Sequence, residues 1–237
     1  MAEIIMNERE WAERTLSTLS LGADPVSTLN LLAKYYSSIG QDKACIARSL
    51  RDFMLRCDPH INIDMWNDVI ESRAANAWRY KLVEVDKVDI TERELEYISS
   101  FKGKNKQCLL FTLLCLAKFY NAARPNNQNW VNTPYGEIFR RAGLKPSSDE
   151  QFMMIGSLWR EGAIKLSRIV DNNSINVPFV DSDSKVVLEI NDLRNVGNQY
   201  LKYIGEPYME CQGCGLVVKK RSNRGLYCHK CARKYAT

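Results

Sequence analysis

The sequence predicts a mainly α chain in three parts: a helical domain over residues 1–103, an α+β domain over 104–206, and a small cysteine-closed module over 207–237. Three observations lead there. Apolar residues recur at helical spacing through most of the first 160 positions. Three β-like runs, separated by Asp/Asn/Ser turns, follow between 163 and 190. Four of the eight cysteines crowd into residues 211–231. The composition, 45% hydrophobic and 26% charged, is that of a globular chain with enough apolar material for a core.

Helices are expected first over 8–19, with Trp11, Ala12, Leu16 and Leu19 on one face, then after Asp24-Pro25 through Leu29, Leu32 and Tyr36 to Gly40. Two more follow, over 41–57 and 62–79. Residues 80–90 alternate in part and suit a loop or short strand. Thr91 and Glu94 form a capping-box pattern for a helix ending near Ser100. The basic, Gly-containing stretch 101–106 is taken as the junction to the second domain. There, residues 106–122 read as a long apolar helix, Thr133-Pro134 opens a short one, and Ser148 with Gln151 caps a third that ends at Gly162. Strand-like runs follow at 163–170, 175–180 and 185–190, then a last helix over 193–204.

The four clustered cysteines are spaced as two C-x-x-C pairs, Cys211/Cys214 and Cys228/Cys231, with thirteen residues between. This spacing suits one tetrahedral zinc ion held by four thiolates, a closed and therefore structural site. Two disulfides or an iron–sulfur cluster are the alternatives; disulfides need an oxidising compartment and iron–sulfur sites favour other spacings. Residues 216–220 and 226–227 are expected to form a hairpin around the Ser222–Gly225 turn. Residues 207–237 resemble a zinc ribbon. His229, inside the second pair, is expected to be a spectator. Cys45, Cys57, Cys108 and Cys115 stand singly in helical stretches and read as small buried hydrophobes.

Residues 211–237 hold seven Lys/Arg and no Asp/Glu: Lys219, Lys220, Arg221, Arg224, Lys230, Arg233 and Lys234. The chain as a whole carries 33 Lys+Arg against 28 Asp+Glu, so its positive excess lies entirely in this module. Such segregation suits a nucleic-acid backbone, with Tyr227 and Tyr235 available for base stacking. Three helices followed by a β-hairpin over about 104–190 resemble a winged helix-turn-helix, which implies DNA rather than RNA and places the helix from Ser148 to Glu161 as the recognition helix. Its N-terminal Asp149 and Glu150 oppose close approach to phosphates; Arg140, Arg141, Lys145 and Arg160 are the backbone-contact candidates.

Catalysis has little support. The chain has no phosphate-binding loop, nucleophile elbow or H-E-x-x-H motif, and its two histidines are His60 and His229. No signal peptide or membrane span is read, so the expectation is a cytoplasmic protein that is not an enzyme. It would regulate transcription or assist replication or recombination, in the setting of a phage or mobile element. The rival reading is an interaction protein docking on a polymerase or another nucleoprotein enzyme. Trp11, Tyr35, Tyr36, Trp66, Trp78 and Tyr80 would supply its contact surface, and the N-terminal helices could instead form a homodimer.

Overall fold

The computed structural model describes residues 4–168, 173–222 and 225–235. Among these residues the chain forms ten α-helices and seven short strands, so it is mainly α, as expected. It divides into two compact units, Met1–Asp86 and Lys87–Thr237.

The first unit packs α1 (Glu8–Thr18), α2 (Pro25–Ser38), α3 (Lys43–Cys57) and α4 (Asn67–Asn76). Asn7, Asp24 and Asp42 cap the first three, each accepting a backbone N–H from the first turn. The fourth predicted helix is real but tightens into 3₁₀ turns at Ile63–Trp66 and Ala77–Arg79. Leu29, Leu32, Leu50, Phe53, Met54 and Ile70 make the core. Trp11, Tyr35, Tyr36 and Trp66 lean on that core, whereas Trp78 and Tyr80 are exposed. Cys45 is exposed, not buried: it follows the capping Asp42 on the outer side of α3.

The second unit is built on α6 (Lys104–Ala123), whose residues 108–117 are buried all round. Strand β1 (Val88–Thr91) and helix α5 (Glu92–Ser99) precede it; the basic stretch 101–106 spans the turn after α5 and the first residues of α6, inside this unit. After α6 come β2 (Trp130–Val131), α7 (Tyr135–Arg141), α8 (Ser148–Arg160), β3 (Lys165–Leu166) and β4 (Ile175–Asn176). The three strands form an antiparallel sheet in the order β2-β4-β3. The run 185–190 does not join it. As β5 (Val186–Ile190) it pairs with β1, tying the entry of the unit to its far end. Helix α8 is capped by Ser147 and Glu150, one residue before the expected pair. Asp171 and Asn172, at the tip of the expected wing, lie outside the described residues.

Two buried charges fix this arrangement. Glu94, completely buried, closes the α5 capping box and accepts Lys118 Nζ at 2.8 Å and the Asp181 backbone N–H at 2.8 Å. Arg141 is also completely buried: it donates to the Leu193 carbonyl and pairs with Glu137 Oε1 at 2.7 Å. Arg141 therefore joins α7 to the segment before α9 (Val196–Tyr203) and is not available to a phosphate, contrary to the expectation from sequence. Close packing at the same place needs Gly197, where a Cβ would lie 2.2 Å from the Ala142 carbonyl oxygen.

Hydrogen bonds from Arg140, above all, and the nearby Arg141 charge outweigh partial burial and hold the Glu137 carboxyl below its usual value. Glu137→Gln removes the carboxylate that balances the buried Arg141 charge and should cost on the order of 3 kcal/mol, read by urea unfolding at pH 7. Because the folded-state value is the lower one, this stabilisation is complete above the unfolded value of about 4.3 and disappears as pH falls through the folded one. The wild-type and Glu137→Gln curves should converge in acid.

Candidate metal centre and its basic surround

Strand β6 (Tyr208–Glu210) pairs antiparallel with β7 (Val217–Lys219), Tyr208 opposite Lys219 and Glu210 opposite Val217. The first cysteine pair occupies the turn between them. Cys211 N–H bonds the Leu216 carbonyl at 3.0 Å and Gly215 N–H the Cys211 carbonyl at 2.8 Å. Gly215 has φ 71°, a left-handed conformation that favours glycine. The second pair is set by helix α10 (His229–Tyr235): Cys228 immediately precedes it and Cys231 lies in its first turn.

This corrects the expected hairpin. The partner of β7 lies before the cysteines, not at 226–227; the Leu226 carbonyl instead accepts Gln212 N–H of the first knuckle at 3.0 Å. The pairing of Tyr208-Met209-Glu210 with β7 closes the turn around Cys211 and Cys214, and the sequence between the pairs then leads into a helix.

The geometry converges on one point. One ligand atom from each of Cys211, Cys214, Cys228 and Cys231 lies within 4.8 Å of all the others, and Cys214 Sγ is 3.8 Å from Cys228 Sγ. A tetrahedron of sulfurs about 2.3 Å from a central ion has edges of about 3.8 Å, so these residues fit a single metal ion. Backbone donors favour anionic sulfur: Cys228 N–H points at Cys211 Sγ at 3.1 Å, and Cys231 N–H at Cys228 Sγ at 3.5 Å. Desolvation raises the Cys211 thiol, but N–H groups of Cys228, Gly213 and Cys214 together bring it down to about 6. Cys231 is pushed up to about 12, by desolvation and then by sharing protons with the Cys214, Cys228 and Cys211 sulfurs. Four sulfurs this close cannot all be anionic without a countercharge, which is what a divalent cation supplies.

Two residues that the sequence reading missed hold the knuckle to the rest of the unit. Arg194, clamped by Asp192 at 2.8 Å, donates to the Cys214 carbonyl at 2.8 Å. Asn198, on α9, donates to the Val217 carbonyl at 2.9 Å. Neither sits in a motif; only the three-dimensional approach of α9 to β7 reveals them.

Around this centre Lys219, Lys220, Arg221, Lys230, Arg233 and Lys234 are all exposed, as is His229, and Tyr227 is partly so. Arg224 and the side chain of Tyr235 lie outside the described residues. The candidates in the middle of the chain form no comparable face. Arg140 is exposed but bound through two hydrogen bonds to Glu137, and Arg141 is buried. Lys145 and Arg160 are exposed singly, before and at the end of α8. The exposed side of α8 instead carries Phe152, Met153 and Trp159.

No protein-family model, curated protein or solved structure matches the chain. Among the described residues, no helix is long and apolar enough to cross a membrane.

Arg194→Ala removes the tie to the Cys214 carbonyl and frees the first knuckle to reorient. Metal retention against a competing chelator should fall roughly tenfold, the usual scale for losing a supporting interaction around a ligand. Lys202→Ala, which breaks only an exposed 3.7 Å pair with Glu210 on the same hairpin, should leave retention unchanged.

Proposed function

We propose that the protein binds nucleic acid through its C-terminal module, with zinc as the resident ion. The observation that carries this reading is the concentration of exposed Lys219, Lys220, Arg221, Lys230, Arg233 and Lys234 around a four-cysteine site, in a stretch without a single carboxylate side chain. The S–S separation of 3.8 Å and the all-thiolate donor set favour zinc, which takes four thiolates in a tetrahedron and imposes no geometry of its own. With four protein ligands the ion has no open position, so its role is to hold the cations in place. The protein acts as a binding or regulatory component and not as an enzyme.

DNA is favoured over RNA by the order of elements after α5. Helix, strand, two helices and a hairpin, with the first strand beside the last, resembles the element order of a winged helix-turn-helix and supports that reading. Here, however, the helix that would read the major groove begins with Asp149 and Glu150 and exposes Phe152, Met153 and Trp159. Acids near phosphates and bare apolar side chains favour a protein contact for α8. The middle segment then orients the complex while the zinc module grips the backbone without reading sequence.

Fluorescence anisotropy with random duplex DNA, single-stranded DNA and RNA tests this. If four or five of the exposed cations reach phosphates, affinity should fall about 10²- to 10³-fold between 50 and 200 mM salt. The variant Lys219→Glu/Lys220→Glu/Arg221→Glu should lose binding while keeping its metal. Normal affinity in that variant, or binding indifferent to salt, would remove the reading.

A further inference from the structure

The exposed face of α8 has an internal symmetry. Ile155 and Leu158 are buried in the unit, while Asp149, Phe152, Met153, Trp159 and Arg160 are exposed. At the helical turn angle Asp149, Met153, Gly156 and Arg160 fall along one outward line, with Phe152 and Trp159 on its flank. The order along that line is complementary about a midpoint between residues 154 and 155: the acid at 149 mirrors the base at 160, and the long side chain at 153 mirrors the bare backbone at 156. Both mirrored pairs share the same midpoint, which is the condition for a two-fold contact with an identical surface.

Gly156 sharpens the point. Glycine inside a helix is unfavourable relative to alanine, and a Cβ at this position would meet nothing within 4 Å beyond the adjoining residues and the backbone of its own helix, although Arg160 Nε donates back to the Gly156 carbonyl at 3.3 Å. The packing of this chain therefore does not call for glycine there. The missing side chain does leave room there for close approach by something outside the chain.

We propose that the occupant is a second copy of this chain, with the two α8 helices antiparallel and crossing at that midpoint. Each Met153 then fills the notch over Gly156 of the other copy. Each Asp149 faces Arg160 of the other copy, and Phe152 and Trp159 close the sides. The charge pairing sets direction, because a parallel pair would bring Asp149 against Asp149 and Arg160 against Arg160. A single helix pair covers less surface than a standard interface of about 1,600 Å², so the dissociation constant should be roughly micromolar. Two zinc modules on one dimer would also let a polyanion be held at two points, although the dimer itself does not depend on nucleic-acid binding.

Sedimentation velocity of the full-length, metal-loaded protein from about 1 to 100 µM reads this directly. The expected result is a concentration-dependent dimer, weakened at least tenfold by Met153→Glu and by Gly156→Leu. Asp149→Lys and Arg160→Glu should each weaken it, and together restore it, because the swap rebuilds the pair with opposite polarity. Unchanged thermal melts would show that these surface variants remain folded. A monomer at every concentration overturns the proposal. So does a dimer indifferent to all four substitutions, or one in which the double swap is no better than the single ones.

Discussion

Four thiol sulfurs held within 4.8 Å of one another are the constraint on which the C-terminal module, residues 207–237, depends. Residues 207–235 bury little apolar surface: Val217 and the ligands Cys211 and Cys231 are the buried residues in this stretch among those described. A module of this size cannot offset its chain entropy by hydrophobic burial alone. What joins its two halves is the convergence of the cysteines and the bond from Gln212 N–H to the Leu226 carbonyl. An ion held by these cysteines would couple metal binding to local folding.

That local event is coupled to the rest of the second unit through a short list of contacts. Arg194 and Asn198 reach from the α9 region to the carbonyls of Cys214 and Val217. Helix α9 is in turn locked to the end of α7 by Gly197, buried Arg141 of α7 holds the Leu193 carbonyl just before α9, and Tyr200 packs its ring against Phe111 of α6. The cysteine-closed hairpin is thus fixed relative to the central helix. Its cations stand on a rigid base, which would lower the ordering cost of the polyanion binding proposed above. The same frame exposes one side of α8, so the cationic surface and the apolar surface are separate parts of one unit.

Much of this was legible in the residues. The caps at Asp24 and Thr91, the long apolar run of α6 and the C-x-x-C spacing each rest on local chemistry, and local chemistry is visible in sequence. The misses are non-local. Strand β7 chose β6 over 226–227, and β5 chose β1, about a hundred residues upstream, because short strands carry too little pattern to specify a partner. Arg141 looked like a surface base beside Arg140, but its burial depends on Glu137 one turn earlier and a carbonyl from the Leu193 segment. Arg194 and Asn198 carry no motif at all.

The identity and number of ions in the cysteine cage decide whether this module folds around zinc. Native mass spectrometry of the purified full-length chain, with elemental analysis of the same sample, addresses it most directly. One zinc per chain, released together with loss of α10 helicity when a strong chelator is added, is the expected result. A chain that retains no metal, or that carries iron with sulfide in its place, would contradict it.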